Sequence, residues 1–157
     1  MATDRRFFST SQIELVTAVL DRIIPANDTM PGAGQIALEF LDDVIGRSPI
    51  LKRSFGTGLS EIEVYAQGTY HHDFVSLSGE ERDEVLRHVE TAQPAFFEAL
   101  RRQTYNGYYT NSRIIELLGL ENRPPQPKGH QIETGHLGLI ENVKKRAAAK
   151  LELVAIG

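Results

Sequence analysis

The sequence predicts an all-α protein: a single compact domain of about six or seven helices. Apolar residues recur at spacings of three and four through most of the chain, which is the helical period. No segment alternates with a period of two for long enough to form a strand, and turns rich in glycine and proline separate the periodic segments. A chain of 157 residues, 41% of them hydrophobic, is long enough to bury an ordinary core.

Sequence signals mark the boundaries of the first three predicted helices. The first is predicted to begin near Ser9, because Gln12 stands three residues later and completes a capping box. Its apolar stripe runs to Pro25, which ends it. The second helix ends before Gly46, and the third runs roughly over residues 49–65, where glycines weaken it.

The next two helices also have clear start signals. A second capping box, Ser78 with Glu81, starts the fourth helix, which ends near residue 91. The fifth covers roughly residues 96–105, and Pro94, just before this range, suits the first turn of a helix. We expect this helix to end at Gly107, because glycine readily adopts the left-handed conformation of a C-terminal cap.

The end of the chain differs in composition from the rest. A short sixth helix, 112–118, stops at Gly119, and a proline-rich strap of residues 121–136 follows. A last helix is predicted over 137–154 and has lysines opposite its apolar stripe. That pattern also fits a helix lying on a membrane surface, but the stripe has no aromatic anchor. We expect a core of about 9–120, with the strap and last helix packed outside it or on a partner.

Composition excludes several classes of function. The net charge is −4 and there is no long basic block, so we expect no nucleic-acid partner. The absence of cysteine excludes disulfides, thiolate catalysis and cysteine-ligated metal centres in this chain. No apolar run approaches the roughly 20 residues that span a bilayer, so no transmembrane segment is predicted.

The N-terminus is weakly similar to an export signal. Its Asp4-Arg5-Arg6-Phe7-Phe8 segment has the paired arginines of a twin-arginine signal. Glu14, Asp21 and Arg22 interrupt the uncharged apolar stretch that such a signal needs, which favours an amphipathic helix instead. We therefore expect a cytoplasmic chain, or a periplasmic one if it is exported with a partner or if a signal was trimmed.

One glycine pattern matches a nucleotide-binding motif without its context. Residues 32–37, Gly-Ala-Gly-Gln-Ile-Ala, fit G-x-G-x-x-A. That motif binds a pyrophosphate only in a tight turn between a strand and a helix. Here a helix, Pro25 and a turn-rich loop precede it, so the sequence favours a structural role.

Three histidines and one glutamate suggest an alternative function for the chain. A stand-alone helical metalloprotein or enzyme would use His71, His72, Glu84 and His88. The two adjacent histidines point in different directions, and Glu84 and His88 have no second matching pair of the kind that di-iron helical bundles use. Metal binding needs ligands that converge, and these spacings do not produce that. We expect no catalytic residue, metal or cofactor in this chain.

Three of the five tyrosines lie in one hexapeptide, residues 104–109, at the end of the fifth helix. Aromatic rings at such a position either fill the core or form a surface for a partner, since tyrosine is common in both. We predict that Tyr105, Tyr108 and Tyr109 bind a partner. The same prediction is made for three prolines of the strap, Pro124, Pro125 and Pro127.

Several motifs, in this order and spacing, resemble one protein family. They are Leu20-Asp21-Arg22-Ile23-Ile24-Pro25, Pro31-Gly32-Ala33, Phe96-Phe97-Glu98-Ala99-Leu100, Thr104-Tyr105-Asn106-Gly107-Tyr108-Tyr109 and Pro124-Pro125-Gln126-Pro127. The set is similar to the gluconate 2-dehydrogenase subunit 3 family, the small (gamma) accessory subunits of bacterial FAD-dependent sugar dehydrogenases. The resemblance covers most of the chain.

The resemblance implies an all-helical, non-catalytic subunit with no cofactor of its own. Its partner would be a large flavoprotein of the glucose–methanol–choline (GMC) oxidoreductase class, which holds FAD and oxidises a sugar or sugar acid. The small subunit would help that partner to fold, remain soluble or be exported. A cytochrome or another electron acceptor would then be a further partner through the complex.

Overall fold

A computed structural model describes residues 7–120, which lie within one compact unit. This range contains six α-helices, a short 3₁₀ turn and no strand, so the all-α prediction is confirmed. The helices are α1 (Thr10–Ile23), α2 (Ala33–Arg47), α3 (Pro49–Tyr70), α4 (Gly79–Ala92), α5 (Pro94–Tyr109) and α6 (Ser112–Leu117). The predicted strap and last helix lie outside the described residues, so their separation from the core stays a prediction.

Both predicted capping boxes are present. The Ser9 hydroxyl accepts from the Gln12 amide, and the Gln12 side chain accepts from the Ser9 amide at 3.0 Å. Ser78 and Glu81 make the same reciprocal pair at the start of α4. The backbone amide of Ser78 lowers the pKa of the Glu81 carboxyl, because it donates to the charged form.

Three helices are longer than predicted, and glycines lie inside each of them. α2 continues through Gly46 to Arg47, and α3 continues to Tyr70. Likewise α5 passes through Gly107 and ends only at Tyr109, so the predicted end at this glycine is wrong. A glycine inside a helix costs about 1 kcal/mol relative to alanine, which tertiary packing can outweigh.

The ends of α3 and α6 show where left-handed backbone is used. His71 caps α3 with φ 59°, the one non-glycine residue in the described chain with positive φ. Gly119, where the sequence predicts that the sixth helix stops, follows α6 with φ 70°. Its amide donates to Glu116 and that of Leu120 donates to Ile115, the two bonds of a Schellman cap.

Helix α5 lies at the centre of the described domain. It packs against all five other helices, and its interface with α2 is among the most extensive in the domain. Its inner face contributes Phe96, Leu100 and Tyr108 to the core, together with a buried Thr104 whose hydroxyl bonds to the Leu100 carbonyl. No buried polar side-chain atom in the described range lacks a hydrogen-bond partner.

Candidate functional site

The turn between α1 and α2 is built around the Asp21 carboxylate. The amide of Gly34 donates to Asp21 Oδ1 at 2.8 Å, so this side chain caps the N-terminus of α2. A Cβ atom at Gly32 would lie 2.3 Å from Asp21 Oδ1, and one at Gly34 would lie 2.5 Å from the Thr17 carbonyl oxygen. These glycines therefore allow α1 and α2 to approach closely, and a carboxylate occupies the position that a phosphate would need.

Tyr108 joins this turn to the end of α5. Its side chain is only 2% exposed, and its hydroxyl donates a 2.7 Å hydrogen bond to the Pro31 carbonyl oxygen. Burial raises the pKa of the phenol. A ring in this position cannot present a surface to another protein, so the prediction that Tyr108 binds a partner is corrected: Tyr108 is a core residue.

Gly107 explains why the helix does not stop where predicted. A Cβ atom here would lie 2.8 Å from Cδ1 of Phe40 and 3.1 Å from the Ala37 Cβ atom, so the missing side chain lets α5 lie tightly against α2. Because the helix continues, Tyr105 and Tyr109 lie one turn apart on the outer face. Both are exposed, at 42% and 50%, and their rings stack with centroids 6.1 Å apart.

A groove lies along the outer face of α5. Phe97, Arg101 and Tyr105 line it at intervals of four residues, which places them on one side of the helix. The other wall comes from α4 and from the end of α1. Its remaining lining residues are Arg22, Ile23, Asp83, Leu86, Arg87 and Glu90, and its volume is about 310 Å³. The groove is shallow and open to solvent, and Tyr109 continues the α5 stripe beyond it.

An ion pair in the lining of the groove joins α1 to α4. The Arg22 guanidinium donates two hydrogen bonds of 2.7 Å to the two carboxylate oxygens of Asp83. The Arg22 hydrogen bond lowers the pKa of the Asp83 carboxyl, and nearby Arg87 adds to this effect. Both side chains of the pair are about one-third exposed, so the contact is accessible from the groove.

A second group of exposed apolar side chains, after the tyrosines of α5, lies at the end of α6. Leu117, Leu118 and Leu120 are all exposed at the helix terminus, whereas Ile114, one turn earlier, is buried. The Schellman cap fixes the backbone of this turn. The described domain therefore presents large apolar side chains on α6 as well as on α5.

The histidines and glutamates of the alternative function do not converge. His88 stacks on Tyr65 at 3.7 Å between ring centroids, and its Nε2 atom lies 3.1 Å from Glu61 Oε1. Glu84 instead accepts the hydroxyl of Tyr70, which raises the pKa of that phenol to about 12. His71 and His72 are exposed at the end of α3. Between residues 7 and 120 no three such side chains are placed to hold a metal ion.

Comparison with known proteins identifies the family. A family model described as gluconate 2-dehydrogenase subunit 3 matches residues 10–126, which include every helix described above. The chain belongs to the gluconate 2-dehydrogenase subunit 3 family. By its name, the family supplies a subunit of a multisubunit dehydrogenase. Neither the curated proteins nor the solved structures give a significant match.

None of the helices in the described range is long and apolar enough to cross a membrane.

The residues predicted to bind a partner differ in their exposure to solvent. Tyr105 and Tyr109 are exposed and adjacent, Tyr108 is buried, and the three prolines at 124, 125 and 127 lie outside the described residues. Sequence reasoning missed the arginines of the groove. A stripe of four residues at four-residue spacing, Phe97, Arg101, Tyr105 and Tyr109, could have indicated one wall of the groove. The stripe is recognisable only if the helix is predicted to continue beyond residue 105.

Proposed function

We propose that the chain is a non-catalytic small subunit that binds and stabilises a large FAD-dependent dehydrogenase subunit of the GMC class. That partner would hold the FAD and oxidise a sugar or sugar acid. The small subunit would support its folding, maturation or export. Family membership supports a role as a subunit, and the identity of the partner is our inference from the resemblance.

The observation that carries the proposal is the stacked, exposed pair of Tyr105 and Tyr109 on a rigid helix. Tyrosine offers a large apolar area and loses little conformational entropy when it is immobilised, which is why it is common among interface hot spots. The pair is held in place by the packing of the opposite face of α5 against α2. It is therefore preorganised for contact with a second protein.

Coexpression with the flavoprotein subunit tests the proposal. The chain should copurify with a protein that has flavin absorbance, and sugar oxidation with a dye acceptor should require that protein. Turnover by the isolated, metal-free chain would contradict the proposal, as would failure of the two proteins to associate.

Tyrosine variants test the surface within this complex. Tyr109→Ala should weaken binding by about 2 kcal/mol, roughly thirtyfold, because a central aromatic anchor is lost. Its melting temperature should stay near that of wild type, because the ring is half-exposed. The matched control is Tyr108→Phe, which should lower stability by about 1 kcal/mol through loss of the Pro31 hydrogen bond and leave affinity unchanged. The reverse pattern would place the interface elsewhere.

A further inference from the structure

The groove carries two arginines that form no direct ion pair with a described carboxylate. Arg87 and Arg101 are exposed and form no ion pair within residues 7–120, whereas Arg22 is paired with Asp83. Glu90 is the other acidic side chain of the groove. The lining thus has three arginines against two carboxylates, an excess of one positive charge, on a chain whose net charge is −4.

The cations stand beside aromatic rings. Arg101 lies between Phe97 and Tyr105 in the α5 stripe, one helical turn from each, and Leu86 contributes an apolar side chain from α4. Arginine binds carboxylates through two parallel hydrogen bonds, and aromatic side chains bind the apolar part of the same ligand. This combination of arginine and aromatic residues is typical of protein interfaces.

We infer that this groove binds an acidic segment of the large dehydrogenase subunit, an inference that rests on the proposed function. Carboxylates of that segment pair with Arg87 and Arg101, and an apolar side chain lies against Phe97 and Tyr105. The excess of arginines over carboxylates in the lining favours an acidic occupant. The groove of about 310 Å³ is open and lies at the lower limit of small-ligand sites, so it suits side chains of a polypeptide better than an enclosed small molecule.

Charge reversal of the full-length chain tests this assignment. The affinity of the purified flavoprotein subunit is measured by calorimetry at low and high salt for wild type and for Arg87→Glu/Arg101→Glu. The control, Lys52→Glu/Arg53→Glu, makes the same change in net charge at two exposed positions of α3. Arg87→Gln/Arg101→Gln is a second test variant, which removes the cations without adding repulsion next to Asp83.

The expected result is specific to the groove. The glutamate variant should bind about thirtyfold more weakly at low salt, since two arginines of a central site are reversed. The glutamine variant should show a smaller loss and a weaker salt dependence than wild type. The α3 control should bind like wild type, and both the α3 control and the glutamine variant should melt near the wild-type temperature.

The outcomes separate the two proposals. If wild type does not bind the flavoprotein at all, the proposed function fails and this inference fails with it. If wild type binds and the groove variants bind equally well, or lose no more affinity than the α3 control, the chain is a binding subunit but the groove is not its acidic-segment site. Loss confined to the groove variants, with salt-dependent wild-type binding, supports the inference.

Discussion

Two glycines of helix α3 provide a test of the described contact between α3 and α5. Gly56 and Gly58 both lie inside α3, two residues apart. A Cβ atom at Gly56 would meet nothing within 4 Å, whereas one at Gly58 would lie 2.2 Å from the Cγ and Cδ1 atoms of Phe96. The same substitution should therefore have opposite effects at the two positions.

The magnitudes follow from these distances. Gly56→Ala should stabilise the chain by about 1 kcal/mol, the difference in helix propensity between the two residues. Gly58→Ala gains the same amount, but its methyl group overlaps a ring that is 2% exposed and packed edge-on against Phe55. Normal carbon contacts are about 3.5–4.0 Å, so either Phe96 or α3 must move. Overpacking of this kind costs about 3 kcal/mol, which leaves a net loss of about 2 kcal/mol.

Thermal and urea unfolding of the purified variants measure both effects. At about 3 °C per kcal/mol for a chain of this size, Gly56→Ala should melt about 3 °C above wild type and Gly58→Ala about 6 °C below it. If both variants were stabilised equally, Phe96 would not cover α3 at residue 58. The account of the contact between α3 and α5 would then be refuted.

Two carboxylates provide further predictions. Asp21→Ala should destabilise the chain by about 1 kcal/mol in urea unfolding, because the Gly34 amide loses its cap; an unchanged midpoint would contradict that role. Asp83→Asn should be less stable than wild type at pH 7 by about 1 kcal/mol at most, since the Arg22 pair is partly exposed. The folded-state pKa of Asp83 is lowered below its ordinary 3.8, so this advantage is present above pH 4 and lost as the pH falls through the lowered pKa. A difference that persisted in acid would contradict the assignment.

Local chemistry made the starts of the helices predictable from sequence. The two capping boxes and Pro94 in the first turn of α5 act within four residues, and all three were found where expected. The ends were less predictable, because they depend on contacts distant in sequence. The backbone freedom of Gly107 predicts that α5 ends there, whereas in the fold this glycine makes room for Phe40 of α2.

That one error changed the prediction for the tyrosines. A helix that ends at residue 107 leaves Tyr108 and Tyr109 in a loop with no defined faces. A continuous helix turns by about 100° per residue, so neighbouring rings point to different sides. Tyr108 therefore enters the core while Tyr109 joins Tyr105 outside. The groove could not be predicted in the same way, because it requires the relative positions of α1, α4 and α5.

The hydrogen bond from Tyr108 to Pro31 joins residues 77 positions apart, and this separation has a consequence for synthesis. A ribosome adding about 5–20 residues per second needs about 4–15 s to pass from one partner to the other. Once α2 has been made it can pair with α1, but the face of α2 that receives Gly107 remains uncovered. The newly made N-terminal half is thus exposed to aggregation until α5 emerges, and slower translation between residues 31 and 108 should increase the demand for chaperones.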